Sequence, residues 1–288
     1  MIEPNILMTK WGIRMNKMTE REQYLLNLLG ATRRITTAEA SKALDVSAAT
    51  VRRLFRGMEE KGTAVRDYGG VQLYGGARGY SFENSEKTFS AEKRRIGAAA
   101  AELVQDGDTV FLDSGTTVMQ MALALSRRIA SGDFTSLNIV TNSIANVQVL
   151  AARAQCRVIL AGGEYNPGRR DFSGPLTERY VSPFHFTKSF FGCEGLTAQM
   201  GFCSNQLSIS SLNARVIARS DLRYALMDAS KFGRYALVAY AGLEEISGIV
   251  TNAAPDEALS AALDKNKVAV LLAAEERAQP AGRRKAKP

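Results

Sequence analysis

From residue 96 onward, short apolar runs alternate with helix-patterned stretches, and this alternation restricts the fold more than any other feature. "AAAAELV" precedes "DTVFLDSG", "VMQMALALSRR" precedes "LNIVTNS" and "IANVQVLAA" precedes "RVILAGG". Further apolar runs follow at "KSFFGCEG", "RYALMDAS", "GIVTN" and "KVAVLLA". Strands separated by helices are joined by crossovers, so the expected architecture is α/β with a mainly parallel sheet covered on both faces.

In such sheets a ligand sits outside the carboxyl ends of the strands. Those ends read Asp113-Ser114-Gly115-Thr116-Thr117, Thr141-Asn142-Ser143, Gly162-Gly163 and Asp228-Ala229-Ser230-Lys231. A glycine flanked by hydroxyls between a strand and a helix can wrap a phosphate with backbone amides, helped by the helix dipole. Ser114, Gly115, Thr116 and Thr117 are therefore the expected phosphate loop, with Lys231 as a positive charge and Asp113 as an acceptor for sugar hydroxyls. A Ser-Gly-Thr-Thr turn can equally be a plain helix cap. Four polar strand ends in one domain favour a ligand, and they make Thr141, Asn142, Gly162 and Gly163 candidate contacts as well.

The N-terminal part is patterned differently. "REQYLLNLLGATRR" sets Tyr24, Leu25, Leu28 and Leu29 on one side of a first helix ending near Gly30. Thr36 and Glu39 have capping-box spacing at the start of a second. Asp45 and Val46 form a turn, and Ser47 caps a third helix that presents Val51, Leu54, Phe55 and Met58 on one face and ends at Gly62. "TAVRDYGGVQLYGG" alternates and breaks at Gly69-Gly70, as a two-stranded wing does. Three short helices and a wing make a winged helix-turn-helix. The expected division is an extension over 1–17 that includes Trp11, the winged helix-turn-helix over 18–76, a linker over 77–89, the α/β domain over 90–275 and a basic flexible tail over 276–288.

In that architecture the helix after the turn enters the DNA major groove. Arginine makes bidentate contacts to guanine and threonine offers a hydroxyl and a methyl, so Thr50, Arg52 and Arg53 are candidate base readers, with Arg56 beside them. Ser47 and its neighbouring amides suit a phosphate. A solvated basic helix packed on its neighbours is the competing reading. Charge distribution bears on the choice: the net +8 resides at the two ends, where residues 1–78 carry 13 Lys and Arg against 8 Asp and Glu and residues 277–288 carry 5 against none. A basic N-terminal module beside a nearly neutral middle fits a polyanionic partner for the former alone.

Other classes find no support. The three cysteines, Cys156, Cys193 and Cys203, are scattered without metal-ligand spacing and read as small buried hydrophobes. Neither a metal nor a cofactor is expected. The N-terminus lacks the features of a secretory signal and no long uninterrupted apolar run occurs, so a cytoplasmic protein without a membrane partner is expected. His185, between Phe184 and Phe186, reads as a packing residue, and Arg169 and Arg170 as solvent-exposed or paired with Asp171.

The segment "REQYLLNLLGATRRITTAEASKALDVSAATVRRLFRGMEEKGTAVRDYGGV" resembles the N-terminal domain of the DeoR family of bacterial sugar-metabolism repressors. The resemblance rests on Val46, Ser47, Thr50, Arg52, Arg53, Gly62, Arg66, Gly69 and Gly70, with Leu54 and Tyr68 where the family commonly has Asp and His. It implies a DNA role for Arg66 in the wing. "KRRIGAAAAELVQDGDTVFLDSGTT", "VTNS", "LAGGEY", "FFGCEGL" and "LMDASKFGR" are similar in order and spacing to the family's effector domain, which is related in fold to ribose-5-phosphate isomerase. The resemblance implies a regulator of double-stranded operator DNA that binds a phosphorylated sugar or related metabolite and forms homo-oligomers. Thr187, Ile209 and Asn213 align with an Asp, a Glu and a Lys of the family, which implies a less charged ligand pocket without catalytic groups. The alternative is a sugar-phosphate isomerase or CoA-transferase-like enzyme with an accessory DNA-binding module.

Overall fold

The computed structural model describes residues 17–32, 34–60, 63–67, 69–73, 81–150 and 156–274. The extension with Trp11, positions Gly62 and Tyr68, and the basic tail lie outside them. The chain divides into two units, Met1–Gly79 and Tyr80–Pro288.

The first unit contains α1 (Lys17–Thr32), β1 (Arg34–Thr36), α2 (Thr37–Leu44), α3 (Ala48–Glu60), β2 (Ala64–Asp67) and β3 (Gly70–Leu73). The Thr36–Glu39 capping box forms: the Glu39 amide donates to Thr36 Oγ1 at 3.2 Å and the Thr36 amide donates to Glu39 at 2.7 Å. Asp45 ends α2 in the left-handed region at φ 49°. Leu25, Leu29, Val51, Leu54, Phe55 and Met58 join Ile35 and Val71 in one buried cluster. The wing has three strands, in the order β1-β3-β2, rather than the expected two. The short Arg34–Thr36 strand carries too little pattern to be read from sequence, and it pairs with β3 so closely that a Cβ on Gly70 would lie 2.5 Å from the Ile35 carbonyl oxygen. Gly69, at φ +85°, makes the turn.

The second unit opens with α4 (Phe82–Lys87) inside the stretch read as linker. Phe82 is fully buried against Met119 and Ala145, an apolar anchor that the polar sequence around it hides. Then follow α5 (Ser90–Ala101), β4 (Thr109–Leu112), α6 (Thr116–Ala130), β5 (Asn138–Thr141), α7 (Ile144–Leu150), β6 (Arg157–Leu160), β7 (Glu164–Asn166), β8 (Asp171–Ser173), α8 (Pro175–Val181) and β9 (Phe186–Gly192). The chain continues through β10 (Gly195–Thr197), β11 (Gly201–Ser204), α9 (Leu207–Ile217), β12 (Ser220–Leu226), β13 (Val238–Ala241), β14 (Gly248–Thr251), α10 (Glu257–Lys265) and β15 (Ala269–Leu272).

Seven strands form one sheet in the order β15-β14-β12-β9-β4-β5-β6, and every pairing is parallel. Alternate residues feed two cores, as the two-residue period of a strand requires. Val110, Leu112, Ile139, Phe190, Leu226 and Val250 pack under α5 and α6. Phe111, Val140, Phe191, Ala225 and Ile249 pack on the other face with α9 and the small antiparallel sheet β10-β11-β13. The chain runs outward from β4 to β5 and β6, then returns to the opposite side of β4 with β9. The carboxyl ends of β4 and β9 thus flank the topological switch point, where open α/β sheets bind ligands.

Helices α5 and α6 touch along their backbones. A Cβ on Gly97 would lie 2.5 Å from the Gln120 carbonyl carbon and the Met121 nitrogen. Replacing Gly97 with valine should lower stability by about 1–3 kcal/mol, the usual cost of overpacking. Ala98→Gln, on the exposed side, should change it by less than about 0.5 kcal/mol. Thermal unfolding of the two variants checks this, and equal melting temperatures would contradict it.

Candidate functional site

In the first unit, α3 separates its residues cleanly. Val51, Leu54, Phe55 and Met58 are at most 2% exposed, whereas Arg52, Arg53 and Arg56 are exposed and have neither an ion pair nor a hydrogen-bond partner among the described residues. Ser47 caps the helix: its Oγ accepts from the Thr50 amide at 3.3 Å and lies 3.1 Å from Thr50 Oγ1. Arg66, from the wing, is within 3.7 Å of the Glu59 carboxylate, which partly offsets its charge. Leu54 is core, so the hydrophobic side chain serves the fold where an acid would have faced inward.

The expected phosphate loop lies at the switch point. Gly115 stands at φ +118°, a conformation that suits glycine, and a Cβ there would meet nothing within 4 Å. It caps α6 without any side-chain hydrogen bond. The amides of Gly115, Thr116, Thr117 and Val118 donate to no acceptor among the described residues, and neither do the hydroxyls of Thr116 and Thr117. Four consecutive free N–H groups at the positive end of a fifteen-residue helix are an arrangement that can hold an anion.

A buried cation, Lys93, stands beside it and was not foreseen. Gly97 packs on Gln120, and Arg128 donates to the Ala101 carbonyl at 2.6 Å, so α5 and α6 run in the same direction. Lys93, one turn before Gly97, is therefore level with the first turn of α6. It is 6% exposed and donates to the Ser85 carbonyl at 2.5 Å. Burial, then repulsion from Lys231, bring its pKa down to about 8. The signal was available: Lys93 continues the stripe of Ile96, Gly97, Ala100 and Ala101, all buried.

Behind the loop lies a network of buried charge. Asp113 accepts from the amides of Ser114 at 2.7 Å and Gly192 at 3.1 Å, and from Asn213 Nδ2 at 3.2 Å. Burial nonetheless raises its pKa to about 7. Ser114 Oγ donates to Asp171 Oδ2 at 2.6 Å, and Arg169 Nε donates to the same oxygen at 3.0 Å. Arg169 Nη1 then reaches Glu194 at 3.1 Å, which also accepts from the Asn205 amide. Arg169 is thus buried and doubly paired, while Arg170 donates to Gln148 at 2.7 Å and lies over the Phe82 ring. The expectation of a less charged pocket rested on Thr187, Ile209 and Asn213. Of these three positions only Asn213 reaches the network; Ile209 is core, and Thr187 lies near the start of β9, at the opposite edge, where it donates to Asp108 at 2.7 Å. His185 is likewise exposed beside Asp221 at 3.0 Å rather than packed among aromatics.

The remaining expected contacts are spread along the same edge. Thr141 donates to the Leu112 carbonyl at 2.6 Å and Asn142 to the Phe172 carbonyl at 2.9 Å, so both are buried and spent on holding loops. Gly162 faces open space, whereas a Cβ on Gly163 would strike Thr177. Lys231 follows Asp228 beyond β12, where its charge acts on Lys93.

Comparison with known proteins places both units in one family. Residues 88–253 match the model of the DeoR C-terminal sensor domain and residues 21–75 that of the DeoR-like helix-turn-helix domain. The transcriptional repressor GlcR of Bacillus subtilis is 32% identical over 88% of this chain and 95% of its own length. The uncharacterized transcriptional regulator YulB of the same organism is 30% identical over 88% and 96%. The glycerol-3-phosphate regulon repressor of Escherichia coli is 27% identical over 83% and 92%. Among solved structures, ribose 5-phosphate isomerase A of Methanocaldococcus jannaschii matches half of the chain and 55% of its own, with a TM-score of 0.38 and 16% identity. With both family domains present in this order, the chain belongs to the DeoR family of transcriptional regulators, a helix-turn-helix module followed by a sensor domain.

Proposed function

We propose that the protein represses a carbohydrate-utilisation operon in the bacterial cytoplasm and that a phosphorylated sugar or related metabolite, held at Gly115–Val118, alters its affinity for operator DNA. The observation that carries the sensor half is the set of four unengaged amides beside a buried lysine. The relative named as a glycerol-3-phosphate regulon repressor carries a phosphorylated small molecule in its name, which supports the same ligand chemistry. Arg52, Arg53 and Arg56 supply the DNA half, with Ser47, Thr50 and Arg66 at its margins. Exposed Leu176, Tyr180, Leu207, Tyr235 and Leu237 give the sensor unit apolar surface suited to homo-oligomer contacts.

Sensing rather than turnover is the favoured chemistry. Aldose–ketose isomerisation needs a carboxylate free to take a proton from a substrate carbon. Here Asp113 accepts three hydrogen bonds, and Asp171 and Glu194 are tied to Arg169. These groups are placed to position a ligand, not to exchange its protons.

Two experiments test the halves separately. Arg52→Ala or Arg53→Ala should weaken operator binding by about 1–3 kcal/mol for a base contact, or reduce the salt slope by about one for a phosphate contact. Unchanged affinity in both folded variants would refute the assignment. For the sensor, Lys93→Met should reduce the affinity of the activating sugar phosphate by about tenfold or more, the effect of losing one charged hydrogen bond. The sign of its effect on stability is opposite. Because the folded pKa of about 8 lies below the ordinary 10.5, the charge destabilises the fold fully below pH 8 and the penalty fades as pH rises from 8 towards 10.5. Lys93→Met should therefore melt higher than the wild type at pH 7, with the two converging at alkaline pH. A variant that binds the effector normally and melts lower would contradict this role.

A further inference from the structure

The hydroxyl of Ser114 is the donor of the phosphate loop that is already engaged, and its acceptor is a carboxylate. Asp171 is fully buried; its Oδ2 receives Ser114 Oγ and Arg169 Nε, while its Oδ1 has no hydrogen-bond partner. The backbone around it holds this carboxylate in place. Ile144 N donates to the Arg170 carbonyl at 3.0 Å, Phe172 N to the Asn142 carbonyl at 2.8 Å, and Phe82 N to the Gly168 carbonyl at 2.9 Å. Ser114 thus links the amides of Gly115–Val118 to a fixed acceptor with a vacant lone pair, the group that an anion drawing on Ser114 would have to face.

Acceptor facing acceptor is repulsive unless a proton lies between them. A phosphate monoester carries such a proton readily, since its second pKa is about 6. A sulfate ester carries none. Arg169, the charged group that faces Asp171 directly, does not change this difference, because it is shared with Glu194 and is already in place before any ligand arrives. We propose that Asp171 is a specificity residue that makes the loop select oxyanions able to donate a proton, so that phosphate is accepted and isosteric sulfate is refused. The inference rests on the phosphate-loop reading above and adds to it the identity of the group that discriminates between the two anions.

Inorganic phosphate and inorganic sulfate are the probes, at matched ionic strength and neutral pH, read as melting-temperature shifts of the full chain. The Gly115→Val variant, whose side chain covers the amides, supplies the baseline for general salt effects. The wild type should be stabilised over that baseline by phosphate and not by sulfate. Asp171→Asn, whose amide can turn a donor to the anion, should gain sulfate stabilisation and bring the two shifts close together. Should that variant not fold, calorimetric titration of the wild type with a simple phosphate monoester, glycerol phosphate, at pH 8 in buffers of different ionisation enthalpy decides instead: uptake of about one proton is expected, because the monoester dianion, unlike the inorganic one, carries no proton and must gain one. Equal stabilisation of the wild type by both ions, a folded Asp171→Asn that still refuses sulfate, or no proton uptake would each overturn the assignment of Asp171 alone. Stabilisation by neither ion would overturn the phosphate loop itself.

Discussion

The sensor unit depends on one pairing arrangement: β4 hydrogen-bonds in parallel with β5 on one side and β9 on the other. Because the chain leaves β4 in one direction and returns on the opposite side, the ends of β4 and β9 mark the topological switch point, where open α/β sheets bind ligands. The same pairing places the Asp113 carboxylate against the Gly192 amide and leaves the space beside Gly115, at the start of α6, unfilled. Any shift in β4 register would exchange Val110 and Leu112 with Phe111 between the two cores, so the residues that fill the cores also hold the site.

On the proposed assignment, the two halves of the protein use different physics for their anions. The helix-turn-helix offers exposed guanidinium groups, whose attraction to DNA phosphates is long-ranged and weakened by salt. The sensor offers backbone amides, a helix terminus and a lysine in a desolvated setting, where each hydrogen bond gains strength from the low local dielectric and depends little on ionic strength. Under that assignment, screening by cellular salt would act mainly on DNA affinity and leave ligand recognition largely intact.

Much of this was legible in the sequence because it is local. The alternation that gives the seven strands, the Thr36–Glu39 box and the polar run Asp113–Thr117 all lie within a few residues of one another. The network behind the loop was not legible, since Arg169 meets Glu194 from 25 residues away and Ser114 meets Asp171 from 57. Residues 164–173 form a hairpin, and apart from the Arg169–Asp171 pairing its charges find their partners only in the folded chain. Thr187 was misplaced for a simpler reason: it lies near the start of its strand, and only the last residues of a parallel strand face the ligand edge. Lys93 could have been found, as a charge on an otherwise apolar helical stripe calls for a buried partner or a bound anion.

The central claim is that a ligand phosphate rests on the amides of Gly115–Val118. Amide hydrogen exchange, measured with and without the phosphorylated sugar that most raises the melting temperature, tests it at the atoms concerned. The account predicts that Gly115, Thr116, Thr117 and Val118 pass from fast exchange to strong protection while the interior of β4 is little changed. Protection that leaves these four amides exchanging freely and falls elsewhere on the sensor unit would contradict it.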